Sequence, residues 1–178
     1  ERFTEDFRRT VELRYRLMPY VYAQARMSSR EGHPMLRTLF FEYPDDPTSW
    51  LVEDEYFFGS DLLVAPLFDD ADHRRVYLPP GTWVDYQTRR AYSGAAWHDI
   101  RSGPIPIVLL VRQNAAIPHI PVAQHTAAMN WSEVELRVFA VPGASAEPIT
   151  GLFALPDGAL QQLELRPAAG SYTLARDP

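Results

Sequence analysis

The chain has 178 residues and is 46% hydrophobic, which is enough for one domain or two small ones with a buried core. All 17 basic residues are arginine, and with 23 acids the net charge of −6 disfavours a nucleic-acid partner. No cysteine is present, which excludes disulfides and thiolate metal sites, and no apolar run of about 18 residues predicts a transmembrane helix.

An amphipathic helix is predicted before Gly32. Thr4 is the expected N-terminal cap, and Gly32 is expected to take the left-handed conformation that ends the helix. Pro19 lacks an N–H group and should kink the helix or divide it. Apolar residues recur at spacings of three and four, at Phe7, Val11, Tyr15, Met18, Tyr22 and Ala25.

Residues 34–41 form a nearly continuous apolar run, which predicts a strand buried on both faces, as in an α/β barrel. Arg37 interrupts the run, and a structural pairing with a carboxylate is favoured over a role in binding substrate. Glu42 and Asp45 follow in a loop of the kind that borders the active site in barrels. They are interpreted first as solvated acids of a turn.

Residues 56–68 mark a change of architecture, because the spacing is helical before them and typical of short strands after them. They predict a buried strand entered through a tight turn at Gly59. Residues 69–73 are acidic but lack the glycine and the closing glutamate of a calcium-binding loop, so they are interpreted as a solvated turn.

The remaining chain alternates short apolar runs with turn signals about every ten residues, which is typical of an antiparallel β-sandwich. A polar linker is predicted at residues 124–130, and Pro156-Asp157-Gly158 predicts a turn. The predicted strands are residues 75–78, 82–86, 105–111, 115–120, 134–141, 149–155, 160–166 and 171–175.

Four stretches, in the same order, resemble glycoside hydrolase family 31, the family of α-glucosidases and α-xylosidases. They are similar to its late barrel helix, its last barrel strand and loop, the crossing into its C-terminal β domain, and its proximal β-sandwich. They comprise residues 13–22, 34–46, 56–68 and 76–86, supported by residues 110–112 and 116–118.

Two departures from the family pattern stand out. Thr38 occupies a position where the family usually has proline, and Asn114 one where it usually has glycine. Asparagine is enriched among non-glycine residues at positive φ, so the turn at Asn114 is expected to survive. An acidic, glycine-rich loop seen in many α-glucosidases is missing after residue 125, which favours the α-xylosidase-like branch.

The resemblance implies a mainly β chain with an N-terminal helix. Residues 1–50 would be the last helix and strand of a (β/α)8 barrel, residues 51–123 a proximal C-terminal β-sandwich, and residues 124–178 a distal β domain that is incomplete or minimal. The first residue is Glu1 and not methionine, which fits a segment of a longer protein and would equally fit a processed or engineered start.

The resemblance also implies retaining hydrolysis of α-glycosidic bonds, which needs two carboxylates about 5 Å apart. The family's nucleophile and acid/base are aspartates on earlier barrel strands and are therefore expected upstream of Glu1. No catalytic role is carried over to this chain, and no substrate-binding residue is assigned. The acids that remain, Asp45, Asp46 and residues 53–55 with Asp54 among them, are neighbours in expected loops with nothing to separate their pKa values.

No metal or cofactor is predicted, because the five histidines lack the spacing of metal ligands. They are His33, His73, His98, His119 and His125.

The predicted function is thus that of a structural, non-catalytic C-terminal fragment of a retaining α-glycosidase. Expected partners are the parent's α-linked oligosaccharide or glycoside substrate, the missing barrel portion and a second copy of the chain; no nucleic acid and no membrane are expected. A severed barrel edge predicts self-association through residues 1–50, or disorder there. The cytoplasm is the default compartment.

Two alternatives stay open. One is an independent carbohydrate-binding sandwich in which Trp83, Trp97 and Trp131 form a stacking platform, although core positions are favoured for Trp83 and Trp97. The other is a pure assembly domain that does not recognise sugars.

Overall fold

The computed structural model of the chain describes residues 3–141, 147–156, 160–168 and 171–176. The chain forms two compact units, one of Pro34–Gln113 and one that combines Glu1–His33 with Asn114–Pro178. We call the first the central unit and the second the terminal unit. This division differs from the boundaries expected at residues 50 and 123, and the assignment of residues 1–50 to a barrel stays a prediction.

Two helices open the terminal unit, α1 at Thr4–Arg16 and α2 at Met18–Glu31. Pro19 lies in the first turn of α2, where a missing N–H group costs nothing, so the predicted division of the helix is confirmed. Gly32 ends α2 at a φ of 77°, also as predicted. The predicted cap is wrong, since Phe3 takes the cap position and Thr4 is the first helical residue.

The terminal unit's sheet packs against α2 through β9 and β11. Its order is β10-β9-β11-β12-β13, and β9 and β11 run parallel, which an all-antiparallel expectation missed. Gly151 allows this approach, because a Cβ atom there would lie 2.6 Å from the Ala116 carbonyl oxygen. The strands are β9 at Ala115–His119, β10 at Glu135–Phe139, β11 at Ile149–Ala154, β12 at Leu160–Ala168 and β13 at Ser171–Arg176.

Two predicted turns differ in outcome. Asn114 has a φ of 62°, so the turn before β9 survives without glycine, as predicted. The predicted turn at Pro156-Asp157-Gly158 falls mostly outside the described residues. The linker at residues 124–130 contains a single 3-10 turn, Thr126–Ala128.

The central unit begins differently from the prediction. The strand β1 covers only Leu36–Arg37 and pairs antiparallel with β2, Tyr56–Phe58, while Leu39–Glu42 forms the short helix α3. Leu36 is 62% exposed, so a strand buried on both faces over residues 34–41 is wrong. The physical reason is that a short apolar run does not distinguish a strand from a buried helical turn.

Residues 56–68 are also two strands where one was predicted. The strands β2 and β3, Leu62–Pro66, form a hairpin with Phe58 opposite Leu62, and Gly59 has a φ of 68° in the turn. The remaining strands of the central unit are β4 at His73–Leu78, β5 at Thr82–Asp85, β6 at Ala91–Ser93, β7 at Ala96–Arg101 and β8 at Ile107–Arg112.

The central unit has an antiparallel six-stranded sheet, ordered β1-β2-β3-β8-β5-β6, and a separate β4–β7 ribbon. Its core joins residues from both, including Phe57, Trp83 and Leu110 from the sheet and Val76 and Ile100 from the ribbon. None of the described sheets closes into a barrel. Most of the described elements are strands, so the predicted mainly β fold is confirmed. Among the described helices, none has the length and apolar character to cross a membrane.

Candidate functional site

Arg112, at the end of β8, is the centre of a polar and aromatic cluster in the central unit. Its guanidinium carbon lies 5.1–5.3 Å from the ring centroids of Tyr43, Phe57 and Trp83. Its Nε donates a hydrogen bond to the Ser60 carbonyl at 3.1 Å, and its guanidinium also donates to the Tyr43 hydroxyl. The sheet is thereby tied to the loop that follows α3.

Glu42 lies between two arginines. It forms an ion pair with Arg37, and a second with Arg112 at 3.5 Å. Arg37 is only 7% exposed, and its Nε donates to the Pro34 carbonyl at 2.7 Å. The structural pairing predicted for Arg37 is confirmed. The interpretation of Glu42 as a solvated turn acid is wrong, because both arginines hold its carboxylate.

Asp46 stabilises the loop beyond α3. Its Oδ1 accepts from the Thr48 N–H at 3.0 Å, and its Oδ2 accepts from the hydroxyls of Ser49 at 3.0 Å and Tyr77 at 2.7 Å. Burial raises the pKa of the Tyr77 hydroxyl, and the hydrogen bond to Asp46 raises it further. The Tyr77 hydroxyl therefore stays protonated at neutral pH and donates to Asp46.

Beside this loop lies an open concavity of about 420 Å³. Asp45, which is exposed, presents a carboxylate there. Burial also raises the pKa of the Tyr43 hydroxyl, which keeps it protonated. The surface combines carboxylates, which accept hydrogen bonds, with protonated hydroxyls, and so suits a neutral, hydroxyl-rich ligand. Its lining consists of residues 42–47, Tyr77, Pro80 and Ala95.

Glu55 is a buried carboxyl that sequence reasoning missed. It is 4% exposed; its Oε1 accepts from the Tyr77 N–H at 2.8 Å, and its Oε2 has no hydrogen-bond partner. Burial raises its pKa to about 7. The prediction that nothing separates the pKa values of residues 53–55 is therefore wrong. The sequence signal was the alternation in and beside β2, because Glu55, Phe57 and Gly59 are buried at every second position.

A second carboxyl with a raised pKa, Asp61, lies in the turn between β2 and β3. Burial is the main cause, and a 2.6 Å hydrogen bond donated by the Ser60 hydroxyl opposes it. Both carboxyls thus belong to one hairpin: Asp61 lies in its turn, and Glu55 directly precedes its first strand.

No group of three or more potential metal ligands occurs among the described residues. Asp72, in the acidic segment 69–73, pairs with Arg101 and with His73, and all three side chains are more than half exposed. In the terminal unit His119 is 2% exposed, and its Nδ1 lies 2.9 Å from the Ile117 carbonyl oxygen. Burial lowers the pKa of His119 to about 4, so its ring is neutral at pH 7.

The tryptophans differ in their surroundings. Trp83 is completely buried and donates from Nε1 to the Pro79 carbonyl at 2.8 Å, as the core prediction required. Trp97 is 42% exposed, so the core prediction for it is wrong. Trp131 is partly exposed and lies edge-on to Tyr22 at 6.2 Å. Trp83 therefore cannot take part in the expected stacking platform.

Comparisons of the sequence with family models and with known proteins agree on one family. The family model described as "Glycosyl hydrolase family 31 C-terminal domain" matches residues 32–117. The sequence is 34% identical over 118 residues to Alpha-glucosidase 2 of Bacillus thermoamyloliquefaciens, which covers 66% of this chain and 15% of that enzyme. It is 29% identical over 157 residues to an alpha-xylosidase of Saccharolobus solfataricus, which covers 87% of this chain and 20% of that enzyme.

Among solved structures, a glycoside hydrolase family 31 dextranase from Flavobacterium johnsoniae, complexed with glucose, matches with a TM-score of 0.78 and 27% identity. The match covers 90% of this chain and 21% of the dextranase chain. The chain thus spans about a fifth or less of the length of these relatives.

Proposed function

Because this chain belongs to glycoside hydrolase family 31 through its C-terminal domain, we propose that it is the structural, non-catalytic C-terminal portion of a retaining α-glycosidase of the α-glucosidase or α-xylosidase type. The observation that supports the proposal most directly is the match of residues 32–117 to the family's C-terminal domain. The parent's substrate would be an α-linked oligosaccharide or glycoside.

The surroundings of the carboxyls support a non-catalytic role. A retaining glycosidase needs two carboxyl groups about 5 Å apart, one of them an acid with a raised pKa that reaches the glycosidic oxygen. Glu55 has the raised pKa, but at 4% exposure it is closed to a sugar. Glu42 is neutralised by two arginines and Asp46 is engaged in holding its loop.

The Arg37–Glu42–Arg112 cluster supports a bracing role. Residues 34–46 are the stretch that resembles the last barrel strand and its loop, and Arg112 lies on a central strand of the sheet whose edge strand is β1. Ion pairs with little exposure to solvent resist separation, because breaking one leaves a buried charge without its partner. The cluster would therefore hold the end of the parent's barrel in register with the C-terminal sheet.

An exposed apolar surface at the start of α1, formed by its cap residue Phe3 and by Phe7, supports association. Phe3 is 61% exposed and Phe7 is 72% exposed, and both precede the buried part of the helix pair. Large exposed rings favour burial against another surface. We infer that the partner is the missing barrel of the parent or, in the isolated chain, a second copy.

The deciding experiment is an assay of the folded chain on aryl α-xyloside and aryl α-glucoside. A heat-treated sample serves as control, and circular dichroism verifies folding. No turnover above the control is expected. Turnover that Asp45→Asn or Glu42→Gln abolishes would refute the proposal, because it would place a catalytic carboxyl in this chain.

A further inference from the structure

The outward face of the β4–β7 ribbon carries an unusual set of side chains. Its cross-strand pairs are Tyr77 with Trp97, Arg75 with Asp99 and His73 with Arg101. The residues between them point inward, where Val76 and Ile100 are buried in the core. Tyr77 is only 4% exposed and belongs to the core, so the accessible part of this face combines the Trp97 ring with cationic and anionic groups.

Trp97 is exposed but held in place. Its ring centroid lies 5.3 Å from that of Tyr77, and the Arg75 guanidinium carbon lies 5.0 Å from the indole centroid. Even so, 42% of the residue stays open to solvent. An indole ordered by its neighbours loses little conformational entropy when a ligand packs on it, which favours binding.

The Trp97 surface adjoins the concavity described above. Tyr77 contacts the indole and also lines that concavity, and Ala95, two residues before Trp97, lines it as well. Asp45 and Asp46 also line the concavity, and the Asp46 carboxylate accepts from the Tyr77 hydroxyl at 2.7 Å. Within one unit, an exposed aromatic ring thus adjoins a polar hollow.

This combination matches the chemistry of a pyranose. A sugar ring presents C–H groups on its faces, which pack on an aromatic ring, and hydroxyls at its edge, which donate to carboxylates. A neutral ligand also avoids the cost of placing a charge beside Arg75, Asp99 and Arg101, whose charges are mixed.

We propose that Trp97, together with the concavity lined by Tyr77 and Asp45, binds one or two units of an α-linked oligosaccharide. The choice of an α-linked sugar rests on the proposed function, which assigns the parent an α-linked substrate. The site would hold the saccharide without chemistry, so that this portion of the protein adds affinity for substrate chains to its structural role.

The test is titration of the folded chain with isomaltotriose and maltotriose, and with cellotriose as a β-linked control, by isothermal calorimetry. The variants are Trp97→Ala and Asp45→Asn. Trp131→Ala is the matched control, because Trp131 is a partly exposed tryptophan of the terminal unit that lies edge-on to Tyr22 and does not line this concavity. Circular dichroism verifies that each variant folds.

We expect binding of an α-linked trisaccharide that weakens about tenfold or more in Trp97→Ala, is reduced in Asp45→Asn and is unchanged in Trp131→Ala. Absence of binding at about 20 mM sugar would overturn the proposal, as would equal effects of Trp97→Ala and Trp131→Ala or equal affinity for cellotriose. Loss of self-association in Trp97→Ala without sugar binding would instead assign the face to a protein contact, and would overturn it too.

The two proposals fail separately. Failure to bind sugar leaves the activity assay and the structural role untouched. Turnover of aryl glycosides by the chain would refute the non-catalytic role while leaving the Trp97 measurements valid.

Discussion

The buried carboxyl of Glu55 makes a sharp prediction about stability and pH. Replacing it in Glu55→Gln keeps an oxygen that accepts from the Tyr77 N–H group, and removes the proton that the carboxyl gains or loses. The charged groups that face Glu55 are Arg74, which lowers its pKa, and Asp54, which raises it; both effects are smaller than that of burial.

The magnitude follows from the pKa values in the two states. Folding raises the pKa of Glu55 from 4.5 to about 7, so the folded state binds the proton more tightly than the unfolded state. At about 1.4 kcal/mol per pH unit, this difference corresponds to about 3 kcal/mol. The stabilisation from the bound proton is complete below pH 4.5. It is lost as the pH rises to about 7, and above that the contribution is constant.

The stability of Glu55→Gln relative to the wild type should therefore rise by about 3 kcal/mol between pH 4 and pH 8. Desolvation of the new amide N–H group costs the variant about 1–2 kcal/mol at every pH, so it should be less stable than the wild type at pH 4 and more stable at pH 8. The assay is urea unfolding of both proteins at half-unit steps from about pH 4 to pH 8.

The difference between the two proteins is read at each pH, so contributions from other titrating groups cancel. Glu53→Gln is the matched control, because Glu53 is exposed and lies two residues away, and it should show no such trend. A difference between Glu55→Gln and the wild type that stays constant over this range would refute the reasoning.

Three further predictions follow from the other buried and exposed groups. His119→Asn should remove a pH dependence of stability opposite in sign to that of Glu55. Burial lowers the pKa of His119 from 6.5 to about 4, so the wild type should lose about 3 kcal/mol of unfolding free energy as the pH falls between these values. Urea unfolding of the variant should show no such loss. Arg112→Ala should destabilise the chain by about 3 kcal/mol in thermal or urea unfolding, because it leaves Glu42 with one arginine and removes the cation from three rings. Arg101→Ala is the control, because Arg101 belongs to an exposed ion pair, and it should cost less than about 1 kcal/mol. Equal costs for the two variants would contradict the role given to Arg112. Phe7→Ser should reduce self-association in light scattering, and an unchanged mass distribution would rule out α1 as the contact.

Several features of this chain were predictable because they depend on neighbours in sequence. Pro19 divides the helix pair, Gly32 ends α2 and Asn114 keeps a turn at positive φ, each through the steric limits of its own backbone. The order of strands along the chain was likewise close to the prediction, since turn residues separate apolar runs locally.

The candidate site was predictable only in part. The segment with Glu42 and Asp45 was recognised as a neighbourhood of interest, but the two arginines on Glu42 come from positions 37 and 112 and meet only in the folded chain. Glu55 lies in a run of three acids, and its distinct pKa arises from burial beneath Tyr77, 22 residues later.

The sequence by itself determined the family, the mainly β character and the local turns, because each of these rests on residue order and short-range sterics. Only the tertiary structure decided which strand residues lie inside. Trp83 and Trp97 both occupy strands, yet one is completely buried in the core of the central unit and the other stands on the outward face of a two-stranded ribbon. The reason is physical: strand alternation defines two faces, but which face is covered depends on what packs there from elsewhere in the chain.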